Sequence, residues 1–409
     1  MNVEKINQIL TDTAFIRTSG SPEELKCANY LMDQLRSFGC EPRLEAFEVD
    51  MAEIEEAHLY IDGKEYPCKG YKNAGSAEIE APLFYLRSTD KVDYAQCKGK
   101  IVLFDGYLGT WRYVDLVNNG AVGFISHNGV FNTPDRDIDQ REIRGMALDK
   151  VDGKKIPGAN INVKDAMEIV NSRAKTAKIV LKQKEFKGES HNVIVDLPGE
   201  VDEYISVTAH YDSTPLSVGT YDNMTGDVAV LSVAEHFAKR PHRYGLRMIL
   251  CGSEERGLLG SKAYVKAHPE DIEKMVLNVN IDMIGSIMGK FVAGCTAEDK
   301  LVHYIEYLGK EIGFLCETSQ IVYSSDSTSF ADAGVPAFTF ARDCSQEMAS
   351  IHTRYDTIDL LKGEQMAEDC EFIVTFVDHM ANAKYFPVAR VIPDNMKEKL
   401  ETYLARKRE

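Results

Sequence analysis

The chain has no Cys-x-x-Cys pair, no apolar run long enough to cross a bilayer and no excess of positive charge, and each absence closes a class of function. Its nine cysteines, Cys27, Cys40, Cys68, Cys97, Cys251, Cys295, Cys316, Cys344 and Cys370, are scattered and odd in number. That is the pattern of reduced, mostly buried thiols in a cytoplasmic protein rather than of a disulfide framework. The opening segment, Met1 to Ile16, is polar and lacks the apolar core and small-residue cleavage site of a signal peptide. With no spanning segment either, no membrane partner is expected. Lysine and arginine number 47 against 64 aspartates and glutamates, a net charge of −17. Such a surface repels nucleic acid and anionic lipid, and part of the negative charge is available to bound cations.

What is present is material for two or three domains: 409 residues, of which 44% are hydrophobic and 27% charged. Ser21-Pro22-Glu23-Glu24 reads as a helix start, with Ser21 as cap, Pro22 at the first helical position and Glu24 completing a capping box. Leu25, Ala28, Leu31, Met32 and Leu35 then recur at helical spacing up to Gly39, predicting a packing helix. Residues 46–186 change texture, with short strand-like runs (Lys100 to Phe104, Gly120 to Ile125) around a helical pattern from Val114 to Asn119 and a charged loop, Asp135 to Arg144, expected to be solvated. This block reads as an insertion between an N-terminal helical part, 1–45, and a larger domain, 187–409.

In the larger domain strands and helices alternate. Asn192 to Leu197, Tyr204 to Ala209, Arg247 to Cys251, Leu277 to Ile281 and Ala337 to Phe340 are strand candidates; Asp227 to Ala238, Gly260 to Ala267 and Leu301 to Ile312 are helical. The alternation predicts an open, mostly parallel α/β sheet covered on both faces, whose sites lie beyond the carboxyl ends of its strands. Asp394 to Glu409 reads as a charged surface helix.

At those strand ends sits an unusual set of side chains. His210 follows the run Ile205 to Ala209, and Asp212 is placed to orient its imidazole. Asp222, in a turn before a helix, is ordinarily a capping residue, but its two oxygens could also bridge two cations. Glu254 and Glu255 follow a buried strand, where adjacent carboxylates are costly without a neutralising cation; one can bind metal while the other handles protons. Asp282 closes another strand and His352 is a distant second imidazole. Histidine and carboxylate ligands in this mixture suit zinc, and there are more carboxylates than one tetrahedral ion needs.

The series His210-x-Asp212, Asp222-Asn223-x-x-Gly226, Glu254-Glu255-x-Gly257-Leu258-Leu259-Gly260-Ser261, Asn280-x-Asp282-Met283-x-Gly285 and His352-x-x-x-Asp356-Thr357 resembles that of the co-catalytic zinc exopeptidases related to aminopeptidase Y and bacterial leucyl aminopeptidases. The inserted block, with Gly99 to Leu103 and Gly120 to Gly123, resembles a protease-associated domain.

The resemblance implies a three-layer α/β sandwich with a mixed, largely parallel central sheet, interrupted by a β-rich insertion. It makes Asp222 the ligand bridging two zinc ions, one completed by His210 and Asp282, the other by Glu255 and His352, with Co2+ or Mn2+ as substitutes. Glu254 would be the general base that takes a proton from water between the ions, and Asp212 would support His210. Tyr323 is a candidate oxyanion or substrate contact, although a packing tyrosine is the plainer reading. Position 327 is Ser where the family often has His after Asp. The expected activity is removal of N-terminal residues from peptides, by a chain that leaves homo-oligomer formation open. Glutamate-carboxypeptidase-like and glutaminyl-cyclase-like enzymes share the scaffold, and a non-catalytic binding protein retaining the fold is a remoter alternative.

Overall fold

The computed structural model describes residues 1–408. Two compact units emerge: Met1–Val49 with Glu189–Lys407, and Asp50–Gly188. The cuts fall within a few residues of the boundaries read from composition.

The first unit is built on a sheet whose four central strands, Ala337–Asp343, Met275–Ile281, Val201–His210 and Tyr244–Cys251, run parallel in that spatial order. Both flanks turn antiparallel: Lys290–Thr296 pairs with Ala337–Asp343, and the Val193–Leu197 end of strand Thr176–Leu197 pairs with Tyr244–Cys251. Glu317–Gln320 closes one edge, parallel to Lys290–Thr296. The central strands are buried along nearly their whole length, as parallel strands covered on both sides must be.

Because successive side chains point to opposite faces, each strand feeds two cores. Val193 and Val195, with Met248 and Leu250, pack with Val228 and Leu231 of helix Thr225–Phe237 and with Phe376 of helix Gly363–Ala381. Ile194, Ile249 and Cys251 face Tyr264 and Phe330 on the other side, beneath helices Leu259–Ala267 and Ser327–Asp332. The expected three layers are therefore present. The tail forms helix Asp394–Tyr403, which turns Met396 and Leu400 inward.

The second unit is not simply β-rich. Ala77–Leu86, Ile101–Phe104, Gly123–Asn128 and Gly158–Asn162 form a parallel ladder accompanied by helices Thr110–Asn118 and Val163–Ser172. Long strands, Arg43–Ile61 and Thr176–Leu197, add antiparallel pairings. The loop around Asp135 to Arg144 is less solvated than its charge suggests. The backbone carbonyls of Asp137 and Asp139 accept hydrogen bonds from the side-chain amides of Asn128, Asn160 and Asn162.

Candidate active site and metal centre

The carboxyl ends of three neighbouring parallel strands deliver most of the site. His210 is the last residue of Val201–His210, and its register partner Cys251 ends the adjacent strand, so the segment bearing Glu254 and Glu255 leaves beside it. Asp282 directly follows Met275–Ile281 on the other side. Asp222 enters from the turn before helix Thr225–Phe237. Asn223 secures that turn: its amide donates to the Ile281 carbonyl (2.9 Å), and its side-chain oxygen accepts from the Gly226 (3.0 Å) and Met283 (2.9 Å) amides. The helix approaches so closely that a Cβ on Gly226 would stand 2.5 Å from both the Asn223 Oδ1 and the Ile281 carbonyl oxygen. His352 arrives from an irregular segment, with φ of 60°.

These residues converge into two groups that share one side chain. His210, Asp222 and Asp282 offer ligand atoms within 4.8 Å of one another, and so do Asp222, Glu255 and His352. Asp222 Oδ1 lies 3.3 Å from His210 Nε2, while its Oδ2 lies 3.0 Å from His352 Nε2. Asp282 Oδ1 is 3.7 Å from His210 Nε2, and Glu255 Oε2 is 3.1 Å from His352 Nε2. Zinc bonds of ~2.0–2.1 Å in tetrahedral geometry set ligand atoms roughly 3.3 Å apart, so both groups have the spacing of ligands around an ion. Asp282 Oδ1 is buried with no hydrogen-bond donor, a lone pair suited to a cation.

The remaining named residues surround these groups. Glu254 Oε2 stands 3.9 Å from His210 Nε2. Asp212 Oδ1 lies 3.5 Å from His210 Nδ1, which makes no hydrogen bond, while the same carboxylate accepts the Glu254 (2.8 Å) and Glu255 (3.2 Å) amides. Its hydrogen bonds therefore order the acidic pair. Tyr323 sends its hydroxyl to Asp343 Oδ1 at 3.1 Å. Ser327, where relatives often carry His, is buried and paired with the Thr339 hydroxyl at 2.8 Å.

The electrostatics are those of anions packed together. Burial opposes the charged form of His210, yet Glu254, Asp212, Asp222 and Asp282 raise its pKa well above the ordinary value. The same contest, won by Glu255 and Asp222, pushes His352 up to about 12. Burial raises the Glu254 carboxyl well above the usual range, reinforced by Glu255, Asp326 and Asp282 and opposed by His210. Asp222 is also buried, but His210 and His352 on its two sides hold it below the usual range. Burial, Asp282 and Asp343 raise the Tyr323 phenol and keep it a proton donor at neutral pH. The whole constellation calls for positive charge, which two divalent ions would supply.

Four residues that hold the site were not read as functional from the sequence. Asp356, fully buried, accepts the Tyr221 amide (2.7 Å), the Asp222 amide (3.2 Å) and the Ser217 hydroxyl (3.2 Å), and so fixes the bridging aspartate's backbone. Asn223 has been described above. The other two, Arg17 and Glu24, lie nearly two hundred positions upstream, where only the capping pattern was visible.

Sheet order fits the α/β zinc exopeptidase fold, with the histidines and carboxylates gathered at its strand ends. Residues 192–377 match the sequence profile of Peptidase family M28. Aminopeptidase YwaD of Bacillus subtilis (strain 168) is 25% identical over 400 residues, covering 94% of this chain and 85% of that protein. Carboxypeptidase Q of Xenopus laevis is 28% identical over 221 residues, 51% of this chain and 46% of its own length. Among solved structures, a zinc aminopeptidase from Bacillus subtilis superposes with a TM-score of 0.78 at 22% identity, covering 97% of this chain and 98% of that one. At that identity the likeness is one of fold.

Proposed function

We propose that the protein is a zinc-dependent aminopeptidase that holds two metal ions and removes N-terminal residues from peptides. The observation that carries this reading is the pair of three-ligand groups sharing Asp222, one oxygen turned to each. When bound, a zinc pair polarises a scissile carbonyl and acidifies water. The chain's residues do the rest. Asp222 keeps the two groups in register, and Asp212 holds the amides of the acidic pair and lies beside His210. Glu254, with its Oε2 3.9 Å from His210 Nε2, accepts a proton at that oxygen and returns it to the leaving amine. Tyr323, whose hydroxyl donates to Asp343 Oδ1, would have to leave that carboxylate to serve as a donor for negative charge developing on the substrate oxygen.

The peptide is taken as partner on the same grounds, and nucleic acid is disfavoured by the net charge of −17. Residues 46–186 are read as a protease-associated-like insertion. Nine free cysteines, six of them buried, support a reducing, cytoplasmic setting. Among the described residues no helix is long and apolar enough to cross a membrane. The local likeness to Carboxypeptidase Q favours one second reading, cleavage from or beside a free carboxyl end. Peptides blocked at either end separate the two. Aminopeptidase action is abolished by N-acetylation and survives C-terminal amidation; the reverse pattern would replace this reading with the carboxypeptidase one.

A further inference from the structure

The helix that the sequence presents as packing reaches into the catalytic loop. Helix Pro22–Ser37 is capped by Ser21, whose hydroxyl oxygen accepts the Glu24 amide at 3.1 Å, but the Glu24 side chain does not close the expected capping box. It is 1% exposed, and its carboxyl group is surrounded by donors: the Gly20 amide at 2.6 Å, the Ser190 hydroxyl at 2.9 Å, and the Ser253 amide and hydroxyl at 3.1 and 3.2 Å. Ser253 immediately precedes Glu254.

That stretch of backbone needs holding. Ser253 has a φ of 58° and Leu258 one of 62°, left-handed conformations that side-chain-bearing residues rarely adopt. The Ser253 hydroxyl is further gripped by Ser190 (2.8 Å) and Ser19 (2.5 Å). Packing is so close that a Cβ on Gly252 would lie 2.5 Å from the His191 carbonyl oxygen and 3.0 Å from Glu24 Oε1. Three successive amides, those of Ser253, Glu254 and Glu255, thus end on two buried carboxyl groups, Glu24 for the first and Asp212 for the next two. Seven residues upstream, the buried Arg17 does the complementary work on carbonyls: its guanidinium donates to Tyr211, between His210 and Asp212, and to Val218 and Gly219, which lead to Asp222.

We propose that Glu24 is a positioning residue of the reaction: by accepting the Ser253 amide it fixes the strained turn that presents Glu254 and Glu255, so the N-terminal segment completes the active site from outside the ligand motifs. This rests on Glu254 being the base, as proposed above.

The test compares Glu24→Met, which keeps bulk but has no acceptor, with Glu24→Gln, which keeps an acceptor toward Ser253. Two readouts are taken on the full chain: hydrogen exchange of the amides in 252–258, and kcat and KM on an unblocked peptide. In Glu24→Met the loop amides exchange at least tenfold faster while those of strand Tyr244–Cys251 stay as in wild type, and kcat falls roughly 10- to 100-fold with KM little changed. Glu24→Gln restores slow loop exchange and part of kcat, since its oxygen still accepts the Ser253 amide while its Nε2 replaces the oxygen that accepted the Gly20 amide. Should Glu24→Met fail to fold, Glu24→Asp, which retracts the carboxylate by one methylene, is expected to release the loop alone. Equal behaviour of Met and Gln, or acceleration spread through the strand, would overturn the proposal. If wild type proves not to be a peptidase, the exchange readout still decides whether Glu24 holds the loop.

Discussion

Asp222 carries the argument at the scale of single residues, because its two oxygens face different imidazoles, at 3.3 and 3.0 Å. An aspartate that merely capped a helix would turn its oxygens toward backbone amides; this one leaves that work to Asp356 and Asn223. Glu254 belongs to neither ligand group, and its Oε2 stands 3.9 Å from His210 Nε2. Replacing it with Gln removes the proton acceptor at nearly constant shape. The expected result is a fall in kcat of about 10²- to 10⁴-fold with bound zinc retained, checked by steady-state kinetics beside metal analysis; unchanged kcat would remove Glu254 from the mechanism. The residues legible in the sequence were those whose chemistry is costly without a purpose, such as adjacent carboxylates beyond a buried strand. Glu24, Arg17 and Asp356 were not legible in that way, because their roles are hydrogen bonds to backbone far away in the chain, and nothing in local spacing reports a partner amide at position 253.

Among elements, the buried parallel strands were the most legible: apolar runs beginning at Tyr204, Arg247 and Leu277 lie within strands only a few residues longer. Strands Lys290–Thr296 and Glu317–Gln320 were missed, one carrying Gly294 and Cys295 and the other wholly polar, Glu-Thr-Ser-Gln. Helix Gly363–Ala381 was missed too, although it ties the site's periphery to the core. Its Asp369 receives the Arg342 guanidinium at 2.8 and 2.5 Å and the Gly285 amide at 2.9 Å, all in a buried setting. Asp369→Ala would leave the guanidinium without its anion. The expected loss is about 3–5 kcal/mol of stability, read from the denaturation midpoint at unchanged slope. A loss below about 1 kcal/mol would mean that Arg342 finds water or another partner.

For the whole molecule, the alternation of helices and strands and the order of the ligand motifs foretold the catalytic architecture. The inserted unit was less transparent, since its parallel ladder and helices use the same short apolar runs as any α/β module. The net charge of −17 gathers partly at one place, where two histidines are drawn toward protonation by five surrounding carboxylates, Asp212, Asp222, Glu254, Glu255 and Asp282. Divalent ions bound there would offset that imbalance, and ligands that bind only the folded state also stabilise it. The most direct measurement is therefore a zinc titration of chelator-stripped protein, following bound metal, thermal midpoint and release of the first residue from unblocked and N-acetylated copies of one peptide. The expected result is saturation at two zinc ions per chain, a rising midpoint, and cleavage of the unblocked peptide alone. Saturation without cleavage, or cleavage of the acetylated peptide at equal rate, would contradict a dinuclear aminopeptidase.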